Sequence, residues 1–264
     1  IEVLKHPAVM NFKPGAAGAL GATLVTQARP DGYTLVGTSQ SSIVVVPLAN
    51  RDIQYTTESF AAVAALTEGG LMLLVNAKSP WKSLGDLVAH SKQAPGTVTY
   101  GSSGMRGITH LLAEMLAREA GVSWNHVPMA GSTPAIVQLL GGHTDMASSA
   151  IAPALAHIQS GALRPLVLFN SRRLKALPDT PTAVELGYRT ESPVLYGLSA
   201  PKGTPRPVID TLFDGLRRIT DRHGAAIEKN LSTFGAQVNL LGPDEYSAFL
   251  QQQKAMFATG VANL

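Results

Sequence analysis

Four times in this chain a strand-like run meets a short Ser/Thr/Gly loop that opens a helix, and that repetition limits the folds open to it. The fullest copy is Tyr100-Gly-Ser-Ser-Gly-Met-Arg-Gly-Ile-Thr109-His110. Residues 97–100 are β-branched or aromatic and read as a strand. Behind the loop, Ile108, Leu111, Leu112, Met115 and Leu116 recur at helical spacing, the stripe of a helix with one buried face. The other copies are Thr38-Ser39-Gln40-Ser41-Ser42, Gly131-Ser132-Thr133 and Ser148-Ser149. Strands alternating with helices imply a mostly parallel sheet covered on both faces, with loops gathered at the carboxyl ends of the strands. A helix start leaves backbone N–H groups unpaired beside the positive end of the helix dipole, a setting that receives carboxylate or phosphate. The same pattern also fits ordinary βα connections that bind nothing.

The remaining pieces agree with an α/β chain. A short strand is expected at 8–12. A turn at Lys13-Pro-Gly-Ala-Ala-Gly opens a helix over 18–28, its glycines spaced G-x-x-G-x-x-G rather than as a dinucleotide fingerprint. Strands are expected at 33–37, 60–66, 71–76, 124–128, 145–147, 166–169, 193–201 and 237–240. Helices are expected at 81–92 (capped by Ser79 or Ser83), after Gly107, from Thr133-Pro134 with the Thr133 hydroxyl as cap, at 153–160, 205–221, 224–233 and 243–260. Residues 170–188 read as irregular.

Composition removes several function classes. With 264 residues the chain is long enough for one large domain or two ordinary ones. No window holds eighteen uninterrupted apolar residues, so no span of a membrane is expected. The net charge of +3 is scattered, without the basic face and interleaved aromatics of a nucleic-acid binder. Zero cysteines rule out thiolate metal sites and cysteine nucleophiles. The seven histidines form no H-x-x-x-H or H-E-x-x-H pair, so no metal is expected, and no motif asks for a cofactor. Gly101-Ser-Ser-Gly lacks the spacing of the G-x-S-x-G nucleophile elbow. His110 either faces its loop or caps the first turn.

An ordered set of phrases carries a family resemblance. They are Lys13-Pro-Gly-Ala-Ala-Gly with Pro30-Asp-Gly-Tyr-Thr-Leu35, Tyr100-Gly-Ser-Ser-Gly with His110-Leu, and His126-Val-Pro with Gly131-Ser-Thr-Pro-Ala135. Leu140-Gly-Gly-His-Thr-Asp145, Ala176-Leu-Pro-Asp-Thr-Pro-Thr182 and Ala200-Pro-Lys-Gly-Thr-Pro205 follow. Together they resemble the extracytoplasmic solute receptors of tripartite tricarboxylate transporters, the Bordetella-uptake-gene type, over essentially the whole chain. The resemblance implies a type II periplasmic-binding-protein fold: two Rossmann-like α/β lobes, 1–97 plus 198–264 and 98–197, with a ligand cleft between them. It implies a monomeric periplasmic receptor, not an enzyme, that delivers a small carboxylated metabolite to integral-membrane subunits. Members begin with a further strand, Gly/Pro-rich loop and helix ahead of Ala8, so the front of lobe one is expected to be missing from this sequence.

The departures from the family pattern bear on the ligand. Met105-Arg106 stands where relatives carry a small or amide residue, Val127-Pro-Met-Ala-Gly131 replaces Val-Pro-Tyr-Lys-Gly, and Ala147-Ser148-Ser149 replaces Phe-Asp-Asn. Loss of that acid removes the partner of a ligand amine, and Arg106 adds a planar fork suited to carboxylate. Met105 and Met129 offer adaptable apolar wall. The expected ligand is therefore a mono- or dicarboxylate without an amino group. The expected contacts are Ser39, Ser41, Ser102, Ser103, Met105, Arg106, Gly107, Thr109, Gly131, Ser132, Thr133, Ser148 and Ser149. The alternative is a hydrolase or lyase acting on a small carboxylated substrate on the same fold.

Overall fold

The computed structural model describes residues 7–13 and 18–262. The chain divides into two compact units: Ile1–Glu68 with Leu195–Leu231 and Gln237–Leu264, and Gly69–Val194 with Ser232–Ala236. In the first, α1 (Ala19–Thr26) precedes β1 (Val36–Ser39), a π-helical turn (Ser41–Val45), α2 (Val46–Ala49) and β2 (Phe60–Gly69). The second unit follows with β3 (Leu71–Asn76), α3 (Leu84–Gln93), β4 (Thr99–Ser102), α4 (Ile108–Ala120), β5 (Asn125–Pro128), α5 (Ser132–Leu140), β6 (Met146–Ala150), α6 (Leu155–Gln159) and β7 (Leu163–Leu168). The chain then supplies β8 (Val194–Pro201), α7 (Arg206–Ser232), β9 (Gln237–Leu241) and α8 (Pro243–Ala262).

The first unit holds a four-stranded sheet in the order β1-β8-β2-β9, in which β1 pairs antiparallel with β8 and β2 with β9. Ile43, Val44, Tyr55, Ala65, Leu195, Tyr246 and Leu250 form one buried cluster, and Val63, Ala200 and Ile209 another. Gly197 of β8 is fixed by space. A Cβ there would lie 2.3 Å from the Ala64 carbonyl oxygen and 2.9 Å from the Tyr246 ring. Backbone cannot yield to such a contact as a flexible side chain can.

The second unit holds five strands in the order β5-β4-β6-β3-β7. β4 is parallel to both β5 and β6, so these three strands end on the same edge. β3 is antiparallel to β6 and to β7. Its residues Leu71, Met72, Leu73, Leu74 and Val75 are all buried, the apolar run of a strand covered on both faces. Met72 and Leu74 share a buried cluster with Ile136, Leu139, Ala147, Leu155 and Leu168. α3 opens on a capping box: the Ser83 hydroxyl accepts the Asp86 N–H at 3.1 Å, and the Asp86 carboxylate accepts the Ser83 N–H at 3.0 Å. Such a cap contributes about 1 kcal/mol.

Several expectations are corrected. The sheets are mixed rather than mostly parallel. β3 follows β2 across Gly70 alone, without the crossover helix a parallel neighbour needs, and inserts antiparallel between β6 and β7. That pairing also carries 69–97 into the second unit, so the boundaries fall at 68/69 and 194/195 rather than at 97/98 and 197/198. Residues 8–12 form no strand, and Val9, Met10 and Phe12 are exposed. Of the expected turn at 13–18, residues 14–17 lie outside the described residues, as do residues 1–6. Ser148 and Ser149 sit inside β6, opposite Leu73 and Met72, not in a loop after it. α5 starts at Ser132 on Gly131 rather than on a Thr133 cap, because Gly131 takes the chain reversal at φ 138°. The helices expected at 205–221 and 224–233 are one helix, α7, since Gly224 keeps helical geometry and no proline or cap interrupts the run.

Two glycines separate packing from propensity. Gly197→Ala is expected to destabilise by about 2 kcal/mol or more through overpacking. Gly224→Ala, where a Cβ meets nothing within 4 Å, is expected to stabilise by about 0.5–1 kcal/mol through helix propensity. Thermal denaturation of the two variants checks both signs.

Candidate functional site

The carboxyl edge shared by β5, β4 and β6 collects the polar residues of the second unit. α4 begins on Gly107 and α5 on Gly131; neither has a side-chain cap hydrogen bond or an acidic residue in its first turn. The two starts sit beside adjacent strands, and the Met129 N–H donates to the Ser102 carbonyl at 3.1 Å. The Ser132 hydroxyl accepts the Ala150 N–H at 3.5 Å, linking α5 to the end of β6. This edge therefore presents two helix N-termini whose open N–H groups and dipoles favour an anion.

Residues 103–107 form the rim. The Ser103 N–H donates to the Thr109 hydroxyl at 3.0 Å, and the two hydroxyls lie 2.7 Å apart, which folds the loop back onto α4. The Gly107 N–H closes a turn on the Gly104 carbonyl at 3.3 Å. Met105 is 62% exposed and Arg106 is exposed beside it. Arg106 adopts φ 57°, the one left-handed non-glycine residue among those described. Its N–H donates to Nδ1 of His110 at 3.0 Å.

Beneath the rim lies a stack of rings. His110 and His126 are stacked at 3.9 Å and 12°, and Tyr100 lies 4.9 Å from the His126 ring. The Tyr100 hydroxyl donates to Glu114 at 2.6 Å. The Ser102 hydroxyl lies 2.7 Å from Nε2 of His126 and also accepts the Gly104 N–H at 3.2 Å. Burial lowers the pKa of His110, with Arg106 acting in the same direction and Glu114 against it. Burial and the neighbouring His110 hold His126 down at about 4. Both rings are therefore uncharged at neutral pH.

The expected site residues divide into three groups. Ser103, Met105, Arg106, Gly107, Gly131, Ser132 and Thr133 come together at the edge with at least partial exposure. Ser102, Thr109, Ser148 and Ser149 are buried and engaged internally; Ser148 donates to the Thr109 carbonyl at 2.7 Å. They build the edge rather than face outward. In the first unit Ser39 ends β1 and its hydroxyl accepts the Ser41 N–H at 3.3 Å; both residues are half-buried. Tyr196, the cross-strand partner of Ser39, is 44% exposed and was not singled out by the sequence. Nor was the ring stack, although His126-Val-Pro and His110 each stand in a family phrase. Partners so far apart in sequence meet only through β4–β5 pairing.

The Ser102–His126 pair has the spacing of a nucleophile and base but not the setting. Ser102 is fully buried, and Nδ1 of His126 is buried with no hydrogen-bond partner among the described residues, so nothing orients the ring as a base. No group of three or more metal-binding side chains occurs among the described residues.

Comparison with known proteins gives one family. The sequence profile of the family described as "Tripartite tricarboxylate transporter family receptor" (TctC) matches residues 1–259. Protein BugT of Bordetella pertussis is 32% identical over 257 residues, covering 96% of this chain and 78% of that protein. A solved "periplasmic transporter" is 32% identical, with a TM-score of 0.85 over 97% of this chain and 86% of the other. MatC from Rhodopseudomonas palustris, with bound malate, is 27% identical, with a TM-score of 0.79 over 94% of this chain and 85% of the other.

The lowered pKa of His126 has a stability consequence. An unfolded histidine takes up protons from about pH 6.5, whereas folded His126 resists until about 4. Its contribution is complete above the unfolded value and is lost as pH falls from there toward about 4. The melting temperature of His126→Phe, which keeps a stacked ring, is expected to fall less steeply over that interval than that of the parent. Equal slopes in a calorimetric pH series would remove His126 as the cause.

Proposed function

Because the chain belongs to the tripartite tricarboxylate transporter receptor family, whose members are solute-binding receptors and not enzymes, we propose that it captures a small mono- or dicarboxylate lacking an amino group. The observation that carries this reading is the meeting of two glycine-started helix N-termini and Arg106 on one sheet edge. Open N–H groups and a guanidinium fork match the charge and planarity of a carboxylate. Neither first turn carries an acid, and Ser148 and Ser149 stand buried where an amine-pairing acid would be expected. The malate in MatC supports the acid class for that relative and lends weight to it here.

Each residue then takes a role. The first-turn N–H groups of α4 and α5 hold carboxylate oxygens, with the hydroxyls of Ser103, Ser132 and Thr133 beside them. Arg106 supplies countercharge. Met105, exposed, and Met129, half-buried, form an apolar wall for the hydrocarbon body. The receptor works in the periplasm and presents its solute to the membrane subunits of the transporter. None of the described helices is long and apolar enough to cross a membrane.

Isothermal calorimetry and thermal shift against mono- and dicarboxylates, malate included, and amino acids test the reading. Bound acid is expected to raise the melting temperature by linkage. Arg106→Ala is expected to weaken the best acid about tenfold, the loss of one charge-assisted contact. Tight binding of amino acids with none of carboxylates would overturn the proposal. Unchanged affinity in Arg106→Ala would remove that side chain from the site.

A further inference from the structure

We infer that His110 is a positioning residue for the ligand site, its unprotonated Nδ1 holding Arg106 in the left-handed conformation that sets the direction of the arginine side chain. The inference rests on the carboxylate reading for its functional consequence and on geometry for its mechanism. A left-handed backbone is unfavourable for any residue with a Cβ and persists only where neighbours enforce it. At Arg106 one such contact is its own N–H, given to His110 Nδ1 at 3.0 Å. A nitrogen that accepts a hydrogen bond carries no proton, so this contact exists only while His110 is neutral with its hydrogen on Nε2. Protonation would place two N–H groups against each other. The contact would open, and Arg106 would be free to return to an ordinary backbone conformation.

The surroundings keep His110 neutral at ordinary pH and set what competes for its proton. His126 of β5 stacks on its face, Tyr100 of β4 lies 6.4 Å away, and Arg106 and Glu114 are the charged groups that act on it. Glu114 is drawn aside by the Tyr100 hydroxyl at 2.6 Å. Two rings stacked at 3.9 Å cannot both be charged without repulsion, so the first to take a proton suppresses the second. A site built this way loses its grip on an anion under acid, although the added positive charge alone would strengthen it. That opposed sign distinguishes positioning from simple electrostatics.

The test follows the Arg106 amide and the tautomer of His110 by nitrogen-15 NMR in ligand-free protein, from about pH 8 to about 4, across the histidine range. At the upper end, His110 is expected as the Nε2–H tautomer and the Arg106 amide as protected from exchange. Protonation of His110 should remove that protection together with the amide's downfield shift. His110→Asn keeps an acceptor bonded to Cγ and carries no titrating proton, so its Arg106 amide should stay protected throughout; His110→Leu should lose protection at every pH. Malate affinity by calorimetry should fall about tenfold in His110→Leu, while His110→Asn should retain the parent affinity and lose the part of its pH dependence that follows His110. An Nδ1–H tautomer at the upper end, or an Arg106 amide indifferent to His110 protonation, overturns the inference. Should malate fail to bind the parent, the ligand assignment is at fault, and the amide and tautomer measurements still decide the role of His110.

Discussion

The first turns of α4 and α5 leave backbone N–H groups with no acceptor in their own helices, and the second unit is arranged around that fact. Both helices start on glycine, and neither is closed by a side chain. Parallel pairing of β4 with β5 and β6 brings the two starts to one edge. The antiparallel insertion of β3 beyond β6 adds a buried apolar strand behind this edge without adding another loop to it. Hydroxyls that would otherwise compete for the open N–H groups are engaged elsewhere: Thr109 with Ser103, Ser148 with the Thr109 carbonyl, Ser102 with His126. The polar edge is thus supported from within by neutral groups.

Neutrality under the rim has a physical reason. A buried charge is costly unless paired, and an imidazole avoids the cost by releasing its proton. His110 and His126 do so together, and their stacked faces fill the space between α4 and β5 as aromatic rings would. The only positive group offered at the rim by residues 103–107 is then Arg106, which is exposed. Catalysis and binding part company here. A serine–histidine pair becomes a nucleophile and base when a third group orients the ring and the hydroxyl is reachable, whereas Ser102 is enclosed and its histidine lacks that group.

Much of the second unit was legible in its residues. The stripe from Ile108 to Leu116, the glycines at 107 and 131, and the strand-like runs before them specify α4, α5, β4 and β5 through local periodicity alone. What sequence could not disclose was pairing. Leu71 to Val75 reads as a buried strand in either lobe, and only its ladders with β6 and β7 place it in the second unit. Ser148 and Ser149 look like a polar loop because β6 hides hydroxyls inside a sheet, each spending its hydrogen on a carbonyl. The His110–His126 stack joins residues from separate elements and has no local signature. Gly224 reads as a helix end by propensity, yet α7 runs through it because its cost is small beside that of breaking a long amphipathic helix.

The two units are also unequal in how the polypeptide is threaded through them. The second is one nearly continuous stretch, Gly69–Val194, completed by the short piece Ser232–Ala236. The first needs three separated segments, and its β1–β8 ladder joins Val36 to Ser199 across the whole intervening domain. Closing so wide a loop costs chain entropy before any contact repays it. During synthesis, therefore, the β3–β7 sheet can assemble while β1 and β2 still lack a partner strand, and these two strands are among the last to become native.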